Sequence, residues 1–376
     1  MNLTRRDVLA LTGAAIAQRS AMAAVTPPAN PVAIAKCATY NDAEVAASLK
    51  TMFDQLGGLA RIVRNKTVTV KLNLTGSPGQ RFEGKPLGST HYTNPVVIAA
   101  AAHLMGEAGA KRIRFVESGW ALSGPLEDYL LDSGWNVKQL SNSAPNVEFE
   151  NTNNLGKSKD YARFKVPGQP LMFPAYDLNR AYHDTDVFVS MAKLKNHAVC
   201  GITLSMKNCF GITPASIYGD DAGEHAPNEN PQSGRVRTMH EGRRNPPTSS
   251  LAEIDPKTPR VPGYRMPRIV AELQVTRPVD VAIIDGVESV SGGEGPWIRG
   301  LKFVQPGLLI AGTNSVNTDA VGAAAMGYDP RAPKGTKPFE TCDNTLLLAE
   351  SLGAGSADLK RIEVVGTPLA KAVYRY

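Results

Sequence analysis

From residue 32 onward the chain alternates between two hydrophobic patterns. Residues 32–38, 67–74, 112–117, 186–192, 279–285, 307–311 and 361–365 are short runs rich in Val, Ile, Leu and Phe, the pattern of strands buried in a sheet. Between them, 43–63, 95–108, 268–275, 316–326 and 346–352 are longer stretches with the composition and spacing of helices. Punctuation agrees: Asn41-Asp42 introduces the first helix, Asn94 caps the second and Gly109 stops it. Asn317 or Thr318 starts 316–326, and Gly353 ends 346–352. Residues 147–151 and 162–166 are shorter strand candidates in a less regular middle. Strand–helix alternation predicts an α/β fold, a mostly parallel sheet with helices on both faces.

Two segments break this rhythm. Residues 212–266 are rich in Gly, Pro, Asn and charge with almost no apolar period, too long for an ordinary connection. They predict a lid-like or disordered insertion in a single domain spanning 32–376. At the start, Thr4-Arg5-Arg6-Asp7-Val8-Leu9 precedes an apolar run to Ala17 and then Ala21-Met22-Ala23, a small-x-small cleavage site. Residues 1–24 therefore read as a twin-arginine signal peptide. The expectation is export by the twin-arginine machinery to the periplasm, with no stable membrane span after processing, since the apolar run is short.

Composition narrows the classes. With 376 residues, 42% hydrophobic and 20% charged, the chain is globular rather than disordered. Its net charge of +6 favours anionic partners. Lys and Arg are scattered and aromatics are 6%, so no basic stripe or stacking platform points to nucleic acid. Cys37, Cys200, Cys209 and Cys342 are too widely spaced for a zinc or iron–sulfur motif, and are expected as buried thiols with at most one disulfide. No dinucleotide fingerprint, P-loop or nucleophile elbow is present.

Candidate chemistry sits at strand exits, where open α/β sheets bind ligands. Lys71 and Asn73 end the second strand, and Glu117 ends the third. Lys193, Lys195 and His197 follow 186–192 at alternate positions, on one face if the chain stays extended. Lys207 and Asn208 lie in 203–210, read as a helical turn capped by Thr203 whose free N–H groups would add to anion binding. Asp285 ends 279–285, ahead of the loop GGEGPWIRG. Several lysines in one cleft repel unless an anion joins them, so a small anionic ligand is the expected partner. Neighbouring cations would keep His197 neutral and available as a base. His91, in the turn GSTHYTNP, is a second candidate, either on the ligand or positioning the Asn94 cap. Asp285, Glu294 and Asp319 are carboxylates of the kind a divalent ion takes, but their spacing fits no calcium loop; Asp319 more simply stabilises the start of its helix. No metal ligands are assigned and the cofactor is left open.

The set KLN at 71–73, HYTNP at 91–95, KLKNH with the following LSMKNCFG, AIIDG before GGEGP, and NTDAVGAAAMG resembles the family called domain of unknown function 362, over 71–366. The resemblance implies that Lys71, Asn73, Lys193, Lys195, His197, Lys207, Asn208, Asp285 and Asp319 belong to family motifs. Relatives with an iron–sulfur label carry a ferredoxin-like segment of closely spaced cysteines that is absent here, so that label does not transfer. The reading is an exported enzyme acting on a carboxylated or phosphorylated small molecule, an isomerase or lyase. Lys193 and Lys207 would bind the anion, with Lys71, His91 and Asp319 also around the substrate. Asn73 and Asn208 would orient it, His197 or Lys195 would act as base, and Asp285 as orienting carboxylate or acid. The alternative is a non-catalytic metal, cofactor or redox carrier or maturation protein.

Overall fold

The structure, a computed structural model, describes residues 29–119, 124–153 and 160–376; the expected signal segment at 1–24 lies outside them. One sheet organises the chain. Its strands are β1 (Ala29–Lys36), β2 (Thr67–Lys71), β3 (Arg112–Glu117), β4 (Val147–Asn151), β5 (Val187–Lys193), β6 (Val281–Gly286), β7 (Leu308–Gly312) and β8 (Ile362–Gly366). They lie in the order β8-β1-β7-β6-β5-β2-β3-β4. All pairings are parallel except those of β7, which runs against both β1 and β6. The expected mostly parallel α/β architecture is what forms.

Both faces of the sheet are covered, which is why its strands read as nearly unbroken apolar runs. On one face α1 (Asp42–Gln55) and α2 (Pro95–Glu107) pack over Val68, Val70, Val189, Met191 and Ile283. On the other, α3 (Leu204–Asn208), α4 (Pro262–Thr276) and α5 (Ser315–Ala325) pack over Phe188, Ala192, Ala282 and Ile284. Side chains alternate between faces along a strand. Lys71 therefore shares its side with Thr69, opposite Val68 and Val70. Lys193 instead lies on the side of Val189 and Met191, so the two lysines leave the sheet on opposite faces.

Several boundaries differ from expectation for local reasons. The helix read over 43–63 is two: α1 ends at Gln55, Gly57 (φ +91°) and Gly58 (φ +85°) reverse the chain, and a single turn follows at Ala60–Val63. Two left-handed residues in succession cannot continue a right-handed helix. The cap of α5 is Asn314, whose side chain accepts from Asn317 N–H; Asn317 and Thr318 are already helical. α4 starts at Pro262 rather than 268, using proline at its first position. The helices Leu126–Asp132 and Val137–Ser141 and the strand Ala175–Asn179, which pairs with Tyr161–Lys165 off the main sheet, are too short to show a clear period.

Within 212–266 the described chain carries its own anchors. Fully buried Arg265, in the first turns of α4, binds Glu253 through Nη2–Oε1 at 2.5 Å and Nη1–Oε2 at 2.9 Å, and Arg260 joins the same carboxylate at 2.7 Å. All four cysteines are buried and unpaired. Among the described residues no helix is long and apolar enough to cross a membrane.

Candidate functional site

Strand order sets where a crevice opens. From β2 the sheet runs outward through β3 and β4 on one side and through β5 and β6 on the other, so connections leaving β2 and β5 diverge. A cavity of about 530 Å³ lies there. The exits of β2 and β3 contribute Lys71, Asn73 and Glu117; the segment after β5 contributes His197, Lys207 and Phe210. Arg235 and His240 come from the 212–266 segment, Glu294 and Trp297 from the glycine-rich loop. A larger depression, about 870 Å³, sits at the amino end of β4 beside the end of α2, away from every strand exit.

Four lysines stand near these exits, and the protein compensates them unequally. Lys71 Nζ is 2.5 Å from Glu117 Oε1 and donates to Leu72 O at 2.6 Å and Asn208 Oδ1 at 3.3 Å. Glu117 also accepts from the N–H groups of Leu74 and Ser118, each at 3.0 Å. Burial pulls the Lys71 ammonium below its ordinary value and the Glu117 carboxyl above it, while their ion pair opposes both shifts.

Lys193, expected on the anion, is elsewhere. Its ammonium is 2.8 Å from Asp285 Oδ2 and donates to Tyr40 Oη at 2.8 Å and Gly88 O at 2.6 Å. Asp285 accepts in addition from Tyr40 Oη–H and from Asn94 N–H, each at 2.9 Å. This closed network, with no cavity-facing member, ties β5 and β6 to the start of α2. Asp285 therefore acts on Lys193 rather than on a ligand. Lys195 donates to His91 O at 2.6 Å and Glu294 O at 3.1 Å, and burial lowers it to about 7; it does not line the cavity either.

The three alternating groups separate because β5 ends at Lys193. The chain then turns into a small hairpin pairing Asn196–His197 with Gly201–Ile202. Only His197 reaches the cavity. Its Nδ1 accepts from Val199 N–H at 3.2 Å, so the neutral ring carries its proton on Nε2. Burial, reinforced by Lys207, holds its pKa well below 6.5. With Nδ1 taken by Val199, the neutral ring turns an N–H rather than a free lone pair to the cavity, which does not suit the expected role of base.

Lys207 is the exception among the lysines. Among the described residues its ammonium has no hydrogen bond and no carboxylate at ion-pair distance; it lies 4.5 Å from the centre of the Phe210 ring. Burial lowers its pKa. Arg235 donates through Nε to Thr213 O at 2.7 Å and through Nη2 to Ser118 Oγ, and the ring of His240, brought down to about 3 by burial and Lys207, lies 5.5 Å from Phe210. Asn73 Oδ1 is buried without a partner.

The remaining expected residues hold the frame. Asn208 lines the cavity, but its amide donates to Ser190 Oγ at 3.0 Å and accepts from Lys71. Asp319 does not cap its own helix: it accepts from Ser205 N–H at 2.8 Å and Met206 N–H at 2.7 Å at the start of α3. Thr203 makes no side-chain cap there, so the α3 N–H groups expected to add to anion binding are taken. His91 is buried, bonded through Nδ1 to Thr90 Oγ1 at 3.1 Å and edge-on to Trp297 at 5.8 Å; burial brings it to about 2. Glu294 accepts from Ala198 N–H at 2.9 Å and Trp297 Nε1–H at 3.0 Å. Asp285, Glu294 and Asp319 are thus committed at separate places. Among the described residues no three His, Cys, Asp or Glu side chains gather as a metal site would need.

Sequence reasoning missed Arg235, His240 and Trp297. The first two sit in 212–266, where no period marks a facing. Trp297, a large ring inside a glycine-rich loop, was the one available signal.

The sequence profile of the family described as "Domain of unknown function (DUF362)" matches residues 68–324, a span holding every cavity residue. The chain is similar to the thylakoid-associated protein sll1697 of Synechocystis sp., 27% identical over 187 residues, or 50% of this chain and 51% of that protein. It thus spans about half the length of the curated relative it matches. A crystal structure of a Thermotoga maritima protein is similar at 12% identity and a TM-score of 0.35, covering 72% of this chain and 56% of that one, too remote to bear on the site.

The Lys71–Glu117 pair yields a test. Lys71→Met leaves the Glu117 charge buried alone and should destabilise by about 3–5 kcal/mol, whereas Lys71→Met with Glu117→Gln should recover much of that loss in denaturant unfolding. Equal stability of the single variant and the parent would contradict the pairing.

Proposed function

This chain belongs to the DUF362 family, and on that premise we propose that its cavity binds a small carboxylated or phosphorylated ligand and performs acid–base chemistry on it, of the isomerase or lyase kind. The observation that carries the reading is Lys207, a half-buried cation lining the cavity without a protein counter-charge. An ammonium stripped of part of its hydration is stabilised when an anion meets it. Arg235 adds positive charge to the same wall.

The other groups take roles their bonds permit. His197 Nε2–H donates to a developing oxyanion, a neutral imidazole acting as electrophile rather than base. Asn73 Oδ1 accepts from a ligand donor. Lys71 and Glu117, both drawn towards neutrality by burial, form the pair through which a proton is taken up and returned. Nucleophilic thiol chemistry is disfavoured, because burial pushes all four cysteine thiols up. The reading includes export by the twin-arginine route to the periplasm, supported by Thr4-Arg5-Arg6 and Ala21-Met22-Ala23.

Formate, acetate and inorganic phosphate serve as probes in thermal unfolding. At least one should raise the melting temperature saturably, and Lys207→Met should abolish the effect while leaving the ligand-free protein no less stable. Because burial lowers the Lys207 pKa, the effect should fade with rising pH before the ordinary lysine value of 10.5. Persistence of the anion effect in Lys207→Met would sink the site.

For export, Arg5→Lys with Arg6→Lys should leave uncleaved precursor inside the cell in a fractionation experiment. Normal processing of that variant would rule out the twin-arginine route.

A further inference from the structure

The uncharged part of the ligand is legible on the apolar side of the same cavity. Lys207 Nζ and the Arg235 guanidinium stand 4.5 and 6.0 Å from the centre of one ring, Phe210. Positive charge is therefore set against an aromatic wall. At the rim two apolar side chains remain in contact with solvent, Trp297 at 40% and Val236 at 45% exposure.

The indole is exposed yet held in place. Trp297 Nε1–H is bonded to Glu294, whose other oxygen accepts from Ala198 N–H, next to His197. Its six-membered ring lies so near the backbone that a Cβ on Gly76 would come within 2.4 Å of it and one on Gly295 within 2.3 Å. Both positions must be glycine for the ring to lie there. A large apolar side chain fixed at a cavity mouth with a free surface is a platform for a flat ligand.

The polar end of such a ligand has partners beside this surface: Lys207, the Asn73 oxygen and His197 Nε2–H are open towards the cavity.

We propose that the ligand is an aromatic carboxylate, its carboxylate on Lys207 and its flat apolar body against Phe210 and Trp297. This rests on the anion-binding reading above and narrows it.

Calorimetric titration of the purified protein with 2-naphthoate, acetate and gluconate tests the proposal. Naphthoate should bind at least about tenfold tighter than acetate, and gluconate no tighter than acetate. Trp297→Ala should erase most of the naphthoate advantage, read as the ratio of naphthoate to acetate affinity in the same variant. Phe210→Leu, which keeps apolar volume in the wall, should reduce the advantage independently. Gluconate outbinding naphthoate, or an advantage untouched by both variants, would overturn the aromatic ligand and leave the anion site standing. Failure of all three anions to bind would overturn both.

Discussion

Burying a lysine ammonium removes hydration that the protein must replace, at several kcal/mol for each ion, and at or just beyond the carboxyl edge of one sheet this chain buries three such groups and half-buries a fourth, Lys207. The arrangement of loops there follows from how each is compensated. Asp285 and the Gly88 carbonyl hold Lys193, which fastens β5 and β6 to the chain before α2. Glu117 reaches from β3 to Lys71 on β2 and also takes the Leu74 N–H, shaping the turn out of β2. Two carbonyls, His91 and Glu294, satisfy Lys195 and join the glycine-rich loop to the 87–94 turn. Lys207 alone has no such answer within the described residues.

That inequality separates charge committed to the fold from charge left open to a ligand. A residue whose polar groups are all used inside the fold, away from the cavity, contributes to position, however motif-like it looks. One left open beside a cavity is held at some expense of stability, as binding groups commonly are. The same distinction demotes Asp319, whose carboxylate is spent on the α3 backbone, and promotes His197, whose ring is oriented by Val199 N–H but keeps Nε2 free for a ligand.

The architecture was legible because strands buried on both faces and helices with Asn caps leave strong periodic signals, as at 112–117, which matched residue for residue. Double burial also hid the decisive fact. With no polar face to mark side-chain parity, nothing in 67–74 or 186–192 revealed that Lys71 and Lys193 emerge on opposite sides. Lys71, Asn73, His197, Lys207 and Asn208 were found because the connections carrying them stay at the switch point in strand order. His91, Lys193, Lys195, Asp285 and Asp319 were chemically conspicuous, yet strand parity sends Lys193 and Asp285 to the other face, turns carry His91 and Lys195 away from the cavity, and Asp319 points from its helix at the α3 backbone. Arg235, His240 and Trp297 come from segments without a period, and only tertiary packing brings them to the site.

The central claim is that Lys207 meets an anion inside the cavity. A crystal of the protein soaked in selenate tests it directly by anomalous scattering. The account predicts a selenium peak within hydrogen-bonding distance of Lys207 Nζ, enclosed by Arg235 and Phe210. Selenate found only at exposed surface cations, with none at Lys207, would contradict it.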